Sequence, residues 1–468
     1  MNELTWLPAW EIRDLIAGGD VSAAEVVNHF LGRIEEFQPK LHAFATLDPE
    51  RARYEAAKAD MARRRGEGLG PLHGLPISVK ENLAVQDVPF AFPRTGTYGV
   101  SEFDAIAVER LRDAGAIVVG TNTMMGTGIA RSEDSRPEAP TMSSYNWDAE
   151  ARNPWDTSRV PGWSSSGGAA AASAALLPVT IGSDGGGSTR LPAAFSGVVG
   201  VHPTRGLVPH VDYRHPKFRL TSTNGPLARD VRDAALVMQV LAGPDARDYI
   251  CIQNEPADFL AGLDAGVGGM RLAWTDDYGY ADTHASPESG RVIAAVREMA
   301  FKLRSLGAAV ETTDQVWEPS NRGGGPAPGE PSVYEIEVGN NPPPLPPVDS
   351  RLYREALEWR ARNGNVFRDL FREYDLLLSV TSQSIAPTVE QWDEAWTTRP
   401  EKMAADYTPH TVLCNILGLP AVSVPCGFVD GMPVGLQIVG PPSSEDRIFR
   451  LASAFQRAFP VTERPSVG

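Results

Sequence analysis

Cysteine is scarce in this chain, with Cys251, Cys414 and Cys426 the only three in 468 residues. So small and odd a number excludes a disulfide framework, and none stands with histidines at zinc spacing, so no metal site is expected. A reducing compartment fits. No stretch of about 18 apolar residues occurs, which leaves no candidate transmembrane helix. The N-terminus, MNELTWLPAWEIRDL, has neither a basic leader region nor a continuous apolar core, so a soluble cytoplasmic protein is expected. Basic residues are in deficit, 43 Lys and Arg against 59 Asp and Glu for a net charge of −16; that disfavours nucleic acid or an anionic membrane as partner. There is no internal repeat and no Gly-x-Ser-x-Gly elbow. The eight histidines include none near the serine clusters described below, which disfavours a Ser-His-Asp hydrolase.

What the chain does have is a stretch from Pro161 to Arg190 with two serine-glycine clusters around one helix and one strand. Pro178 to Gly182 (PVTIG) reads as a short buried strand that runs into Ser183, Asp184, three glycines and Ser188. Successive glycines let main-chain N–H groups converge on one point, which can cradle a phosphate, form an oxyanion hole beside a nucleophilic hydroxyl, or simply make a turn. A Walker loop is disfavoured, because no Gly-Lys-Ser/Thr follows the glycines. Upstream, Pro161 and Gly162 turn into Ser164 to Ser166 and then an alanine-rich helix from Gly167 to Leu176; read alone, those serines are an N-cap. Further upstream, HGLPISVKEN (His73 to Asn82) reads as a strand that delivers Lys80 at its end. A lone lysine is ordinarily a solvated surface charge.

Taken together, Gly74-Leu-Pro-Ile-Ser-Val-Lys80, Pro161-Gly-Trp-Ser-Ser-Ser-Gly167 and Gly182-Ser-Asp-Gly-Gly-Gly-Ser-Thr-Arg190 resemble the amidase signature family, whose hallmarks are GLPxxVK, a PGGSSGG-type loop and GSDxGGSxR. The likeness continues through Gly197 to Thr204, Gly225-Pro-Leu-Ala and Asn415 to Gly440, so it covers most of the chain. It implies a single large α/β domain over residues 1–468, a twisted mixed β-sheet covered by α-helices. It also implies a triad of Lys80, a serine held on a cis peptide, and the nucleophile Ser188. Ser164 stands 24 residues before Ser188, the family spacing, and is assigned the relay role. Ser165 is its neighbour and substitute, since the Ser-Ser-Gly-Gly match alone would choose it.

On that resemblance Ser188 attacks a carbonyl and Ser164 relays its proton to Lys80, which must be neutral to accept it, so activity should rise toward alkaline pH. The backbone N–H groups of Gly185, Gly186, Gly187 and Ser188 are the candidate oxyanion donors, each worth roughly 3–4 kcal/mol in the transition state. Asp184 and Arg190 are expected to scaffold the loop. The implied activity is cleavage of the C–N bond of a carboxamide through an acyl-enzyme, without cofactor or metal. A carbamate (urethane) or aryl ester hydrolase with the same triad is the first alternative. The second is a glutaminase-like subunit that depends on a partner. Leu191 stands where the glutaminase subunits usually carry glutamine, which argues against that last role. Homodimers are frequent in the family, and the expected partner is a small-molecule amide or carbamate.

Helical spacing is seen over Leu7–Ala17, Ser22–Phe37 and Pro49–Arg65, a helical lead-in over about residues 1–65. Helices are also expected at Asp104–Ala114, Leu227–Leu241, Pro287–Leu306, Leu352–Tyr374 and Glu445–Phe459. Strands are expected at Leu75–Lys80, Ile117–Gly120, Met270–Trp274, Ala308–Glu311 and Leu376–Val380, with a final pair around Asp430-Gly431. The polar insertion Glu133–Ala151 reads as a surface loop or a flap. Its Tyr145 and Trp147, with Trp155, Trp163 and Leu191, are candidate walls of a pocket for an apolar or aryl group. A Pro/Gly-rich segment over about 318–348 reads as a linker or a variable lid.

Overall fold

The computed structural model describes residues 4–92, 97–125, 150–210, 221–319, 350–398 and 407–468. In chain order its helices are α1 (Ala9–Gly18), α2 (Ala23–Leu41), α3 (Pro49–Arg64), α4 (Ile106–Asp113), α5 (Ser166–Ser173), α6 (Arg190–Ser196), α7 (Val231–Leu241), α8 (Ser289–Lys302), α9 (Ser350–Glu373), α10 (Val389–Thr398), α11 (Val412–Leu417) and α12 (Glu445–Ala458). The strands are β1 (Phe44–Leu47), β2 (Pro76–Lys80), β3 (Pro89–Phe92), β4 (Thr97–Val100), β5 (Ile117–Asn122), β6 (Val179–Asp184), β7 (Val199–His202), β8 (Thr223–Ala228), β9 (Arg271–Trp274), β10 (Ala309–Thr312), β11 (Leu376–Val380), β12 (Ala421–Val429) and β13 (Met432–Val439).

Eleven of these strands form one mixed sheet in the order β1-β5-β2-β6-β8-β7-β12-β13-β11-β9-β10, and β3 and β4 pair separately. The parallel pairs are β2 with β5, β2 with β6, and β9 with both β10 and β11; the other neighbours run antiparallel. This is an α/β domain with a large mixed sheet flanked by helices.

Two of its strands position the site. Strand β2 is buried along its whole length, as a parallel strand covered on both faces must be. The alternation of Ile77 and Val79 with Ser78 and Lys80 therefore separates an apolar buried face from a polar buried one. Strand β6 runs parallel beside it, with Ile77 opposite Val179 and Val79 opposite Ile181. Lys80 and Ser183 thus arrive together at the C-terminal edge of the sheet, where open α/β sheets place their sites.

Helix α5 is buried at every residue, which only small side chains allow. A Cβ on Gly167 would stand 2.3 Å from the Ala43 carbonyl oxygen and 2.7 Å from the Thr123 nitrogen. Ser165, at its N-cap, makes no side-chain capping bond. The N-cap reading fails at Ser164 and Ser165 because their hydroxyls are engaged with Lys80 of β2 and, for Ser165, with Ser183 of β6 instead.

Two expectations need correction. The lead-in is not wholly helical, since β1 lies within it and pairs antiparallel with β5. The helix expected from Leu227 starts at Val231, because Leu227 and Ala228 end strand β8 and the Asp230 side chain accepts from the Arg232 N–H to start the helix. Gln391 to Trp396 lies on α10, where Trp392 is fully buried. All of 318–348 after Pro319, and of 133–151 before Glu150, lies outside the described residues. Among the described residues no helix is long and apolar enough to cross a membrane, and no group of three or more His, Cys, Asp and Glu could hold a metal ion.

Candidate active site

Lys80 is 1% exposed, and its Nζ points into a set of oxygens. It lies within hydrogen-bond distance of Ser164 Oγ at 2.7 Å, Ser165 Oγ at 3.0 Å, and both the carbonyl oxygen and Oγ of Ser183 at 3.1 Å. Ser165 Oγ in turn donates to the Ser183 carbonyl at 3.1 Å and accepts from the Ser183 N–H at 3.3 Å. Asn82 Nδ2 donates to Ser183 Oγ at 3.0 Å. Lysine, serine loop and strand end are thus tied by hydroxyls. Both candidate relay serines touch the lysine; Ser164 is the nearer.

The glycine loop after β6 is shaped by Asp184. Its carboxylate accepts from the Gly187 N–H at 2.6 Å, from the Thr189 N–H at 3.1 Å and from Thr189 Oγ1 at 2.8 Å. Arg190 Nε donates to it at 3.0 Å and Asn415 Nδ2 at 2.9 Å. Burial alone would raise this carboxyl's pKa, but Arg190 beside it holds it well below the usual carboxylate range. His202 approaches Asp184 at 3.8 Å. Burial, then repulsion from Arg190, pushes that imidazole down to about 3. It is neutral at ordinary pH, and the approach is not an ion pair.

The Gly187 bond corrects one expectation. With its N–H committed to Asp184, Gly187 is no oxyanion donor. The N–H groups of Gly185, Gly186 and Ser188 have no acceptor among the described residues. Gly187 has φ +118°, and a Cβ there would stand 2.4 Å from Thr411 Oγ1, so only glycine turns the chain here. Ser188, 6% exposed, opens the turn into α6, and its hydroxyl makes no hydrogen bond to a described residue.

The candidate pocket residues separate. Trp163, next to Ser164, meets Trp392 edge-on with ring centroids 5.2 Å apart, and Trp392 meets Tyr407 at 5.4 Å. This aromatic group does adjoin the serine loop. Trp155 does not belong to it: its Nε1 donates to the Ser196 carbonyl at 2.9 Å and its ring packs on Phe428 at 4.9 Å. Leu191 is fully buried, with its Cδ1 2.9 Å from where a Gly187 Cβ would lie; it supports the loop from behind. Tyr145 and Trp147 lie outside the described residues.

Sequence reasoning passed over the groups that brace the site: Asn82, Ser183, Thr411, Asn415 and Gln437. Each sits inside or beside a quoted motif, so position was legible while role was not. Trp392 carried no motif and could be found only through its contact with Trp163.

The sequence model of the Amidase family matches residues 25–318 and 337–449. The chain is 33% identical to a component of the glutamyl-tRNA(Gln) amidotransferase of Moorella thermoacetica, over 100% of this chain and 99% of that one. It is 30% identical to an acylamidase of Rhodococcus erythropolis, over 99% and 98% of the two. Its fold is similar to the crystal structure of a bacterial aryl acylamidase with a TM-score of 0.79, at 24% identity over 98% of this chain and 97% of the other. With both the family model and these relatives spanning most of its length, the chain belongs to the amidase signature family.

Proposed function

We propose that the protein is an amide-bond hydrolase that cleaves a carboxamide through an acyl-enzyme, with Ser188 as nucleophile, Ser164 as proton relay and Lys80 as base. The observation that carries this reading is the 2.7 Å contact of Lys80 Nζ with Ser164 Oγ, beside a loop whose Gly185, Gly186 and Ser188 N–H groups are left for an oxyanion. In the first step Ser188 Oγ bonds to the substrate carbonyl carbon. Its proton passes to Ser164 Oγ while Ser164's own proton passes to Lys80 Nζ. The proton then returns by the same route to the leaving nitrogen as the C–N bond breaks, and water repeats the cycle on the ester. The loop N–H groups hold the negative oxygen of each tetrahedral intermediate. The similarity to an acylamidase supports an acyl-amide substrate, and the Trp163, Trp392 and Tyr407 rings support an apolar or aryl group on it.

The test is hydrolysis of matched nitroanilide, aryl carbamate and nitrophenyl ester substrates across neutral to alkaline pH. Ser188→Ala should lose at least about 10⁴-fold in kcat, and wild-type turnover should rise with pH. A preference for the carbamate or ester would replace the amidase reading with a urethanase or esterase using the same triad. Full activity in Ser188→Ala would remove the triad altogether.

Similarity to a component of an amidotransferase favours a second reading, a glutaminase that works only in a complex. Leu191 at the usual glutamine position weighs against it. Size-exclusion chromatography of the isolated chain, with ammonia release from glutamine as the assay, separates a self-sufficient monomer or homodimer from a chain that is inactive alone.

A further inference from the structure

We propose that Ser183 and Asn82 are positioning residues that set how firmly Lys80 holds the relayed proton, Ser183 through its hydroxyl and Asn82 by fixing that hydroxyl in place. The inference rests on the triad reading above.

A neutral amine has two hydrogens and one lone pair. The Ser183 carbonyl, 3.1 Å away, can only accept. Ser165 Oγ, at 3.0 Å, has given its own hydrogen to that same carbonyl and so also accepts. Those two acceptors take both amine hydrogens. The lone pair is left on the side of the Ser164 and Ser183 hydroxyls, with Ser164 the closer at 2.7 Å against 3.1 Å. When Ser164 hands over its proton, the new N–H lies in that same region, and Ser164 must then turn to collect the proton of Ser188. Among the described residues Ser183 Oγ, at 3.1 Å, is the acceptor placed for that N–H of the ammonium. It is held there by Asn82 Nδ2 at 3.0 Å, while Asn82 Oδ1 is buried without a partner among the described residues. The amide is therefore oriented by its bond to Ser183 alone.

The charged groups around this point are few among the described residues. Glu81 follows Lys80 but turns away, its Oε1 accepting the Met124 N–H at 2.6 Å. Asp184 follows Ser183 and is held by Arg190, with the neutral His202 behind them. Strands β1, β5 and β8 and helix α5 carry no charged residue, and the face that α2 turns inward is Val26, Val27, Phe30, Leu31 and Ile34. Removing an acceptor from the ammonium should thus lower its stability measurably, and adding an anion should raise it.

The experiment is the rate of labelling by an aryl fluorophosphonate, followed by intact mass as a function of pH, on wild type, Ser183→Ala, Ser183→Thr, Asn82→Asp and Ser188→Ala. Labelling forms the Ser188 Oγ–P bond and breaks the P–F bond; fluoride leaves and the serine proton goes to Lys80, so the rate reads the lysine without a known substrate. In Ser183→Ala the rising limb should move to lower pH by about half to one unit with a lower plateau, since a weaker base is left. In Asn82→Asp it should move to higher pH, and Ser183→Thr should restore the wild-type limb. Opposite displacements are not what a merely structural role produces. Coincident limbs, with labelling still dependent on Ser188, would overturn this inference and leave the triad standing. A wild type that is not labelled, or labelling that survives Ser188→Ala, would remove the triad and the inference with it. If Ser183→Ala does not fold by circular dichroism, the direction of shift in Asn82→Asp decides.

Discussion

All five N–H donors of the Arg190 guanidinium have acceptors. Nε and Nη2 reach Asp184 at 3.0 and 3.2 Å, Nη2 also reaches Asn415 Oδ1 at 2.6 Å, and Nη1 reaches Gln437 Oε1 at 2.9 Å and the Thr411 carbonyl at 3.1 Å. Arg190 and Asp184 are both 0% exposed, so neither charge can fall back on water. Arg190→Met should therefore destabilise the protein by about 3–5 kcal/mol in urea unfolding, because it leaves the Asp184 charge buried and uncompensated. Gly187 presents a different vulnerability. With φ +118° and Thr411 Oγ1 2.4 Å from a would-be Cβ, Gly187→Ala must move the loop that carries the neighbouring N–H groups. We expect kcat to fall by about 10²–10³-fold, the effect of losing one oxyanion donor, with circular dichroism little changed. A wild-type kcat in that variant would mean the loop amides do not face the reacting oxygen.

Among the elements, the first two helices show how differently an N-terminus can be satisfied. Helix α2 carries its own signal: Ser22 and Glu25 form a reciprocal capping box. The sequence shows Ser22 as the cap, and Ser22→Ala should cost about 1 kcal/mol. Two more of its N–H groups, those of Ala23 and Ala24, are satisfied by Asp60 on α3 at 2.7 and 3.1 Å. Helix α1 starts after Pro8 with no side-chain cap of its own, and Asp233 on α7 takes the Ala9 and Trp10 N–H groups at 2.7 and 2.9 Å. Each aspartate caps a helix other than its own, a pairing that no local sequence signal marks. Asp60→Ala should cost about 1–3 kcal/mol by leaving those donors unmatched; thermal and urea unfolding would show it, and a loss no greater than that of an exposed Asp→Ala would refute it.

For the whole molecule, pH acts through groups the fold has taken out of water. Burial pushes His410 down to about 3. In the unfolded chain it takes a proton near its usual 6.5, so below that pH the unfolded state binds more protons and stability falls as pH falls. The loss is about 1.4 kcal/mol per pH unit until the folded value is reached, and nothing is lost above 6.5. Asp233, raised to about 7 chiefly by burial, works the other way over the same range, so the slope of the wild type alone is a sum of opposing effects. The difference isolates the histidine: His410→Gln should gain stability relative to wild type by about 1.4 kcal/mol per unit as pH falls from 6.5 toward 4. A difference independent of pH would show that His410 takes its proton in the folded protein as readily as in the unfolded chain.

Short motifs at fixed spacing placed Lys80 at a strand end and Ser164, Ser188 and the glycine loop at tight turns around a close-packed alanine helix, because each of these leaves a local mark in residue type, while the roles assigned to those residues came from the family resemblance. The same locality made most helices and strands readable, and failed at β1 and at the start of α7, where pairing with β5 and with β6 overrides local preference. The tertiary structure alone decided what the polar groups do with one another. It turned the Gly187 amide into Asp184, set Trp155 against Phe428 and Trp163 against Trp392, and placed Asp233 on a helix 224 residues away. Those outcomes depend on partners far apart in the chain, and a hydrogen bond or a ring contact is set by the position of both partners, of which the sequence around either one describes only half.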